Sequence, residues 1–142
     1  MVYNDRLKIY LVYHYRPKGG YIMKQLKLCE SEYHLASIVW ENEPLGSGEL
    51  VKLCEKTLGW KKPTTYTILK KLCQKKVLKN ENTIVTSLIK QEQVQKFKSE
   101  EFIKVTFNGS LPKFITAFMN DKKLSTKEAE ELKNLIDSYK EN

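Results

Sequence analysis

From Pro63 to Lys71 the chain sets small hydroxyls, one flat aromatic ring and cations at helical spacing. Thr64, Thr67 and Lys71 fall at i, i+3 and i+7 and share one face of a helix, flanked by Tyr66 and Lys70. Hydroxyls and a ring in the N-terminal half of a helix suit hydrogen bonding and apolar contact with base edges in a major groove. Lys70 and Lys71 further along, with Lys61, Lys62, Lys75, Lys76 and Lys79, offer ammonium groups that would meet phosphates. Such contacts fix register and add salt-dependent affinity without reading sequence. The opposite face carries Thr65, Ile68, Leu69 and Leu72, the stripe of a helix that must also pack on a core.

No comparable arrangement points to catalysis. The two histidines, His14 and His34, stand in no nucleophile–base spacing, and there is no Gly-rich phosphate loop or carboxylate pair. The chain is therefore read as a non-enzyme. Cys29, Cys54 and Cys73 are widely spaced with no C-x-x-C, the pattern of reduced, mostly buried thiols in a cytosolic protein. They offer no metal site, and no cofactor or small-molecule ligand is implied. No apolar run approaches the roughly 20 residues that span a bilayer, so no membrane insertion is expected.

Charge is distributed unevenly. The 142 residues carry a formal charge of +8. Residues 52–79 hold nine lysines against one acid, Glu55, and so carry +8 alone, whereas Asn120 onward has five lysines against six acids. A polyanionic partner at one end of the molecule explains this concentration. The competing explanation is a solvated helix face with no partner.

These residues need a frame to hold them. The spacing predicts a helix over about 30–42, with Leu35, Ile38 and Val39 apolar, and a second from Ser47, read as its cap, through Leu58. "NEPLGSGE" reads as the loop between them. Gly59 stops the second helix, Trp60 is read as a packing residue that pins the turn, and the third helix runs from about Pro63 to Lys76. Val77-Leu78 and Thr83–Thr86 predict a two-stranded hairpin turning at Asn80-Glu81-Asn82. Helices follow over about 91–106, 111–120 and from Ser125, which begins a capping-box spacing. The expected fold is mainly α: a winged helix-turn-helix of three helices and a small hairpin, then a C-terminal helical region. The divisions expected are 1–22, 23–90 and 91–142. Residues 7–15 alternate as a strand would. Lys18-Gly19-Gly20 can be encoded as a ribosome-binding sequence two codons before Met23, so residues 1–22 are expected to be a misassigned or disordered extension.

At Trp60, Thr64, Thr67, Leu69, Lys71 and Leu72 a resemblance becomes visible. "GWKKPTTYTILKKLCQKKVL" resembles the W-x-x-x-T-[VI]-x-T-x-L-x-R-L-x-x-K-G pattern of the penicillinase-repressor family, which includes methicillin-resistance and copper-transport repressors. "ESEYHLASIVW" is similar to that family's first helix, and "NGSLPKFITAFMNDKKLSTKEAEELKNLID" to its C-terminal dimerisation region. The resemblance implies a homodimeric repressor on a dyad-symmetric, double-stranded operator. It places Pro63, Thr64, Tyr66 and Thr67 nearest the bases. It also assigns dimer contacts to the region from Val94 to Leu135: Val94, Phe97, Phe102, Val105, Phe107, Phe114, Ile115, Phe118, Leu132 and Leu135. The aromatic content there agrees, since three short helices cannot bury it alone; the alternative is that it folds back onto the winged module.

Four departures stand out. Lys76 replaces the glycine that usually ends the recognition helix, which gives up an easy left-handed cap and adds a cation. The hairpin is shorter than usual and lacks tyrosines. Where β-lactam-responsive members carry a scissile Asn-Phe bond, this sequence has Ala117-Phe118, the bond that a sensor protease would have to cut. The copper-type C-x-C pairs are absent. A winged helix that binds proteins and not DNA is the rival reading, and the lysine cluster discriminates against it.

Overall fold

The computed structural model describes residues 26–141, so the expected strand over 7–15 and the start at Met23 lie outside the described residues. In chain order the elements are α1 (Glu30–Asn42), β1 (Leu45–Gly46), α2 (Ser47–Leu58), α3 (Lys62–Gln74), β2 (Leu78–Glu81), β3 (Ile84–Ser87), α4 (Gln91–Phe107), α5 (Leu111–Met119) and α6 (Thr126–Ser138). Two compact units divide between Glu101 and Phe102, and α4 crosses that boundary. Among the described residues no helix is long and apolar enough to cross a membrane.

The first unit is a winged helix-turn-helix built by burying one stripe of each helix. Leu35, Ala36 and Val39 of α1, Leu50 and Cys54 of α2, and Leu69 and Leu72 of α3 are all at most 3% exposed. Leu78 and Val85 close the core from the sheet, and half-buried Trp60 packs against it, as expected of a residue pinning the turn. Burial pushes the thiols of Cys54 and Cys73 above their ordinary range, against weaker opposing hydrogen bonds, so both remain neutral packing groups.

Three local details depart from the sequence expectations. The presumed loop after α1 supplies a third strand, with Leu45 opposite Val85 and Gly46 opposite Ile84, giving the order β1-β3-β2. Two residues are too few for an alternation to show in sequence. Ser47 does not cap α2. Gly46 holds the cap position, and the buried Ser47 donates its N–H to the Thr83 carbonyl at 2.8 Å. The hairpin turns at Asn82-Thr83, both at positive φ, because Asn80 and Glu81 are paired in register with Val85 and Ile84.

Two polar junctions lock α1 to the rest of this unit. At its C-terminal end Trp40 Nε1–H donates to the Ile89 carbonyl at 2.9 Å. Beside it, the N–H and hydroxyl of Ser87 donate to the Glu43 carboxylate. At its N-terminal end Glu32, only 4% exposed, accepts on Oε1 from Lys75 Nζ at 2.8 Å and from the Cys29 N–H at 3.1 Å, and its Oε2 lies 2.8 Å from the same ammonium as an ion-pair contact. Burial alone would raise the Glu32 pKa. The hydrogen bonds from Lys75 and Cys29 and the Lys75 charge outweigh burial and hold it below 4.5.

Val94 and Phe97 were expected at a dimer surface, yet they are 0% and 5% exposed in the core of this first unit. The first turns of α4 lie on α1, where the Tyr33 hydroxyl accepts from the Gln91 and Gln95 amides and the Lys98 ammonium sits 4.3 Å from the Tyr33 ring centroid. Part of the presumed dimer face therefore folds back onto the winged module.

The second unit holds Phe102, Phe107 and Phe114 in mutual edge-to-face contact, with ring centroids 5.5–5.9 Å apart, and Phe118 beside Phe114 at 5.8 Å. Ser110 and Ser125 cap α5 and α6 by accepting from the N–H groups of Lys113 and Glu128. Neither helix buries any residue.

The end of α3 generates one stability prediction. The Lys76 N–H donates to the Cys73 carbonyl at 3.1 Å and the Val77 N–H to the Leu72 carbonyl at 3.0 Å, a Schellman closure with Lys76 at φ 60°. Glycine adopts that conformation at lower cost, so Lys76→Gly should raise unfolding stability by about 0.5–1 kcal/mol in urea titration. Glu32 generates a second. Because its native pKa is depressed, its contribution is present above pH 4.5 and lost as pH falls through the native value. The stability gap between wild type and Glu32→Gln should stay constant at neutral pH and close in acid, as followed by denaturation at a series of pH values.

Candidate nucleic-acid interface

The candidate site is the outer face of α3 and the segments on either side of it. A core-facing stripe sets its orientation: Thr65, Leu69 and Leu72 are at most 3% exposed and Ile68 is half-buried. With those positions inward, helical geometry leaves Pro63, Thr64, Tyr66, Thr67, Lys70 and Lys71 facing outward, and all six are exposed. The residues expected to read bases therefore do share one open surface.

Their side chains are partly ordered. Thr67 Oγ1 donates to the Pro63 carbonyl at 2.9 Å, which fixes its rotamer and leaves the oxygen's lone pairs free to accept from a base amino group. Tyr66 is 37% exposed, with the Lys62 ammonium 5.9 Å from its ring centroid. Pro63 occupies the first turn of α3 and no acid stands there, so the positive end of the helix dipole is uncompensated by any side chain of that turn.

The lysines sort into two kinds. Lys61, Lys62, Lys70, Lys71 and Lys76 are exposed and make no ion pair among the described residues. Lys79 is exposed and lies 3.4 Å from the exposed Glu81, a pairing worth little in water. Lys75 differs from all of these. It was expected at a phosphate, but its ammonium is turned inward onto Glu32 and also donates to the Lys27 carbonyl at 3.2 Å.

Two exposed lysines that sequence reasoning counted only as charge, Lys52 and Lys56, lie one turn apart on α2, the helix preceding α3. Their i, i+4 spacing was the available signal.

In the second unit Phe102, Val105, Ile115, Phe118, Leu132 and Leu135 are all at least 41% exposed, and Phe107 and Phe114 are half-buried. Two further residues extend the apolar row of α6. Leu132, Leu135, Ile136 and Tyr139 fall at i, i+3, i+4 and i+7, and Ile136 and Tyr139 are 64% and 82% exposed. The Ala117–Phe118 bond lies inside the last turn of α5.

A family model described as "Penicillinase repressor" matches residues 28–138. The penicillinase repressor of Bacillus licheniformis is 24% identical over 123 residues, covering 83% of this chain and 96% of that protein. The penicillinase repressor of Staphylococcus aureus is 23% identical over 117 residues, covering 80% and 93%. The methicillin resistance regulatory protein MecI of Mammaliicoccus sciuri is 22% identical over 117 residues, covering 80% and 95%. The match runs through the winged module and on into α6, and this chain belongs to the penicillinase repressor family.

Proposed function

We propose that this chain is a cytoplasmic transcriptional repressor that binds a dyad-symmetric DNA operator as a homodimer. One observation carries the reading. The face of α3 opposite its buried stripe is open, free of acid and lined by Thr64, Tyr66, Thr67, Lys70 and Lys71. In this reading Pro63, Thr64, Tyr66 and Thr67 meet base edges in the major groove. Lys61, Lys62, Lys70, Lys71, Lys76 and Lys79 meet phosphates, joined by Lys52 and Lys56 on α2.

The second copy is argued from the second unit. A single chain leaves Val105, Leu111, Phe118, Leu135, Ile136 and Tyr139 more than half exposed, and clustered exposed apolar side chains of this kind mark an interaction surface. An isologous pairing would cover it, and a dyad-symmetric operator requires the two recognition helices of such a dimer about one DNA turn apart, roughly 34 Å. The names of the relatives, all repressors or regulators of resistance, agree with this reading. Release by a sensor protease at Ala117–Phe118 would require the end of α5 to unwind, because a protease binds its substrate extended.

Two measurements test the proposal. Binding to duplex DNA should fall steeply with salt and show a preferred site. Tyr66→Ala should cost about 1–3 kcal/mol on that site and little on random duplex. Duplex binding with neither salt dependence nor preference would favour the protein-binding rival. Ile136→Asp changes a residue already exposed in a single chain, so thermal unfolding of the protomer should hold. Sedimentation should nevertheless shift from dimer to monomer, and operator affinity should fall at least tenfold, that is by about 1.4 kcal/mol. A wild-type chain that sediments as a monomer would remove the dimer from the proposal.

A further inference from the structure

An ammonium carries three N–H donors. That of Lys75, on a side chain 33% exposed, donates to Glu32 Oε1 at 2.8 Å and to the Lys27 carbonyl at 3.2 Å, with Glu32 Oε2 at an ion-pair distance of 2.8 Å. Glu32 is held in turn by the Cys29 N–H, and it is 4% exposed. Lys75 stands immediately beyond the last residue of α3, four residues after Lys71 and next to Lys76, both of which are exposed. A lysine at the C-terminal end of α3, beside two exposed lysines, is thus tied to the start of α1, 43 residues away in sequence.

We propose that Glu32 is a positioning residue that sets DNA specificity, by withholding Lys75 from phosphate and using it to fix the orientation of α3. The inference rests on the DNA-binding reading above. Specificity is a difference between affinities for right and wrong sites, and a lysine on a phosphate strengthens both alike. Tying one such cation to a carboxylate of the fold lowers binding to random sequence and leaves the base-reading side chains untouched. Phosphate does not compete the lysine away, because removing it would strand a buried carboxylate, a far larger penalty than one exposed phosphate contact returns. The same tie stops the C-terminal end of α3 from pivoting away from α1, and that orientation determines which base edges Thr64, Tyr66 and Thr67 can reach.

The test measures fluorescence anisotropy of the full chain on random and preferred duplexes across a salt series. Lys71→Met, which removes a proposed phosphate contact, should reduce the slope of log K against log salt by about one. Lys75→Met should leave the random-duplex slope unchanged and weaken only the preferred site. Glu32→Gln should free the ammonium, steepen the random-duplex slope by about one and narrow the ratio between preferred and random duplex. Adding Lys75→Met to Glu32→Gln should return the slope to the wild-type value. The proposal is overturned if Lys75→Met lowers the random-duplex slope as Lys71→Met does, or if a folded Glu32→Gln leaves it unchanged. Should Glu32→Gln fail to fold by circular dichroism, the comparison of Lys75→Met with Lys71→Met decides alone. A wild type that binds no duplex at all would instead sink the functional reading, and this inference with it.

Discussion

Three inward side chains of α3, Thr65, Leu69 and Leu72, carry the constraint on which the rest of the molecule depends. A helix of 13 residues has few turns with which to anchor itself, and this one must leave its outer half unpartnered to be of use. Burying those three positions against α1 and α2 holds the helix and at the same time determines which residues look outward. Shifting the buried stripe by one residue would turn the helix by about 100° and send Thr64 and Thr67 away from the open face. Packing in the core and chemistry at the surface are two sides of one rotation angle.

The other supports of α3 act on its ends. At its start Gly59 takes φ 70°, and Trp60, whose N–H donates to the Cys54 carbonyl, lies against the core; the turn from α2 is thereby short and fixed. At its finish the Schellman closure directs Val77 into the core, and Lys75 reaches across to Glu32. Cations dominate this segment, yet repulsion among them does little harm, because the exposed ammonium groups stay in water where like charges are well screened. Lys75, two-thirds covered, pairs with the buried Glu32 carboxylate. The net charge of the surface and the polar chemistry of the interior are thus kept apart.

The two units solve different problems. The first closes its own core and contains every residue read as a DNA contact. The second forms an aromatic cluster from four phenylalanines, but α5 and α6 bury nothing completely, and the row from Leu132 to Tyr139 faces water. Such a surface is stable in a soluble protein when something apolar covers it. Helix α4 contributes to both tasks, with Val94 and Phe97 in the first core and Phe102 and Phe107 in the aromatic cluster.

By itself the sequence determined the helices, the existence of a β-hairpin, the cap at Ser125, and the outward face of α3. Each of these follows from spacing within a few residues, where the 3.6-residue period, a capping side chain or a run of charge acts locally. The tertiary structure alone decided that Leu45-Gly46 joins the sheet, that the hairpin turns at Asn82-Thr83, and that Val94 and Phe97 belong to the first core. It alone distinguished Lys75 from its neighbours. In the sequence Lys75 and Lys76 are identical adjacent cations. A buried carboxylate 43 residues away separates their roles, and no local pattern encodes a pairing over that distance.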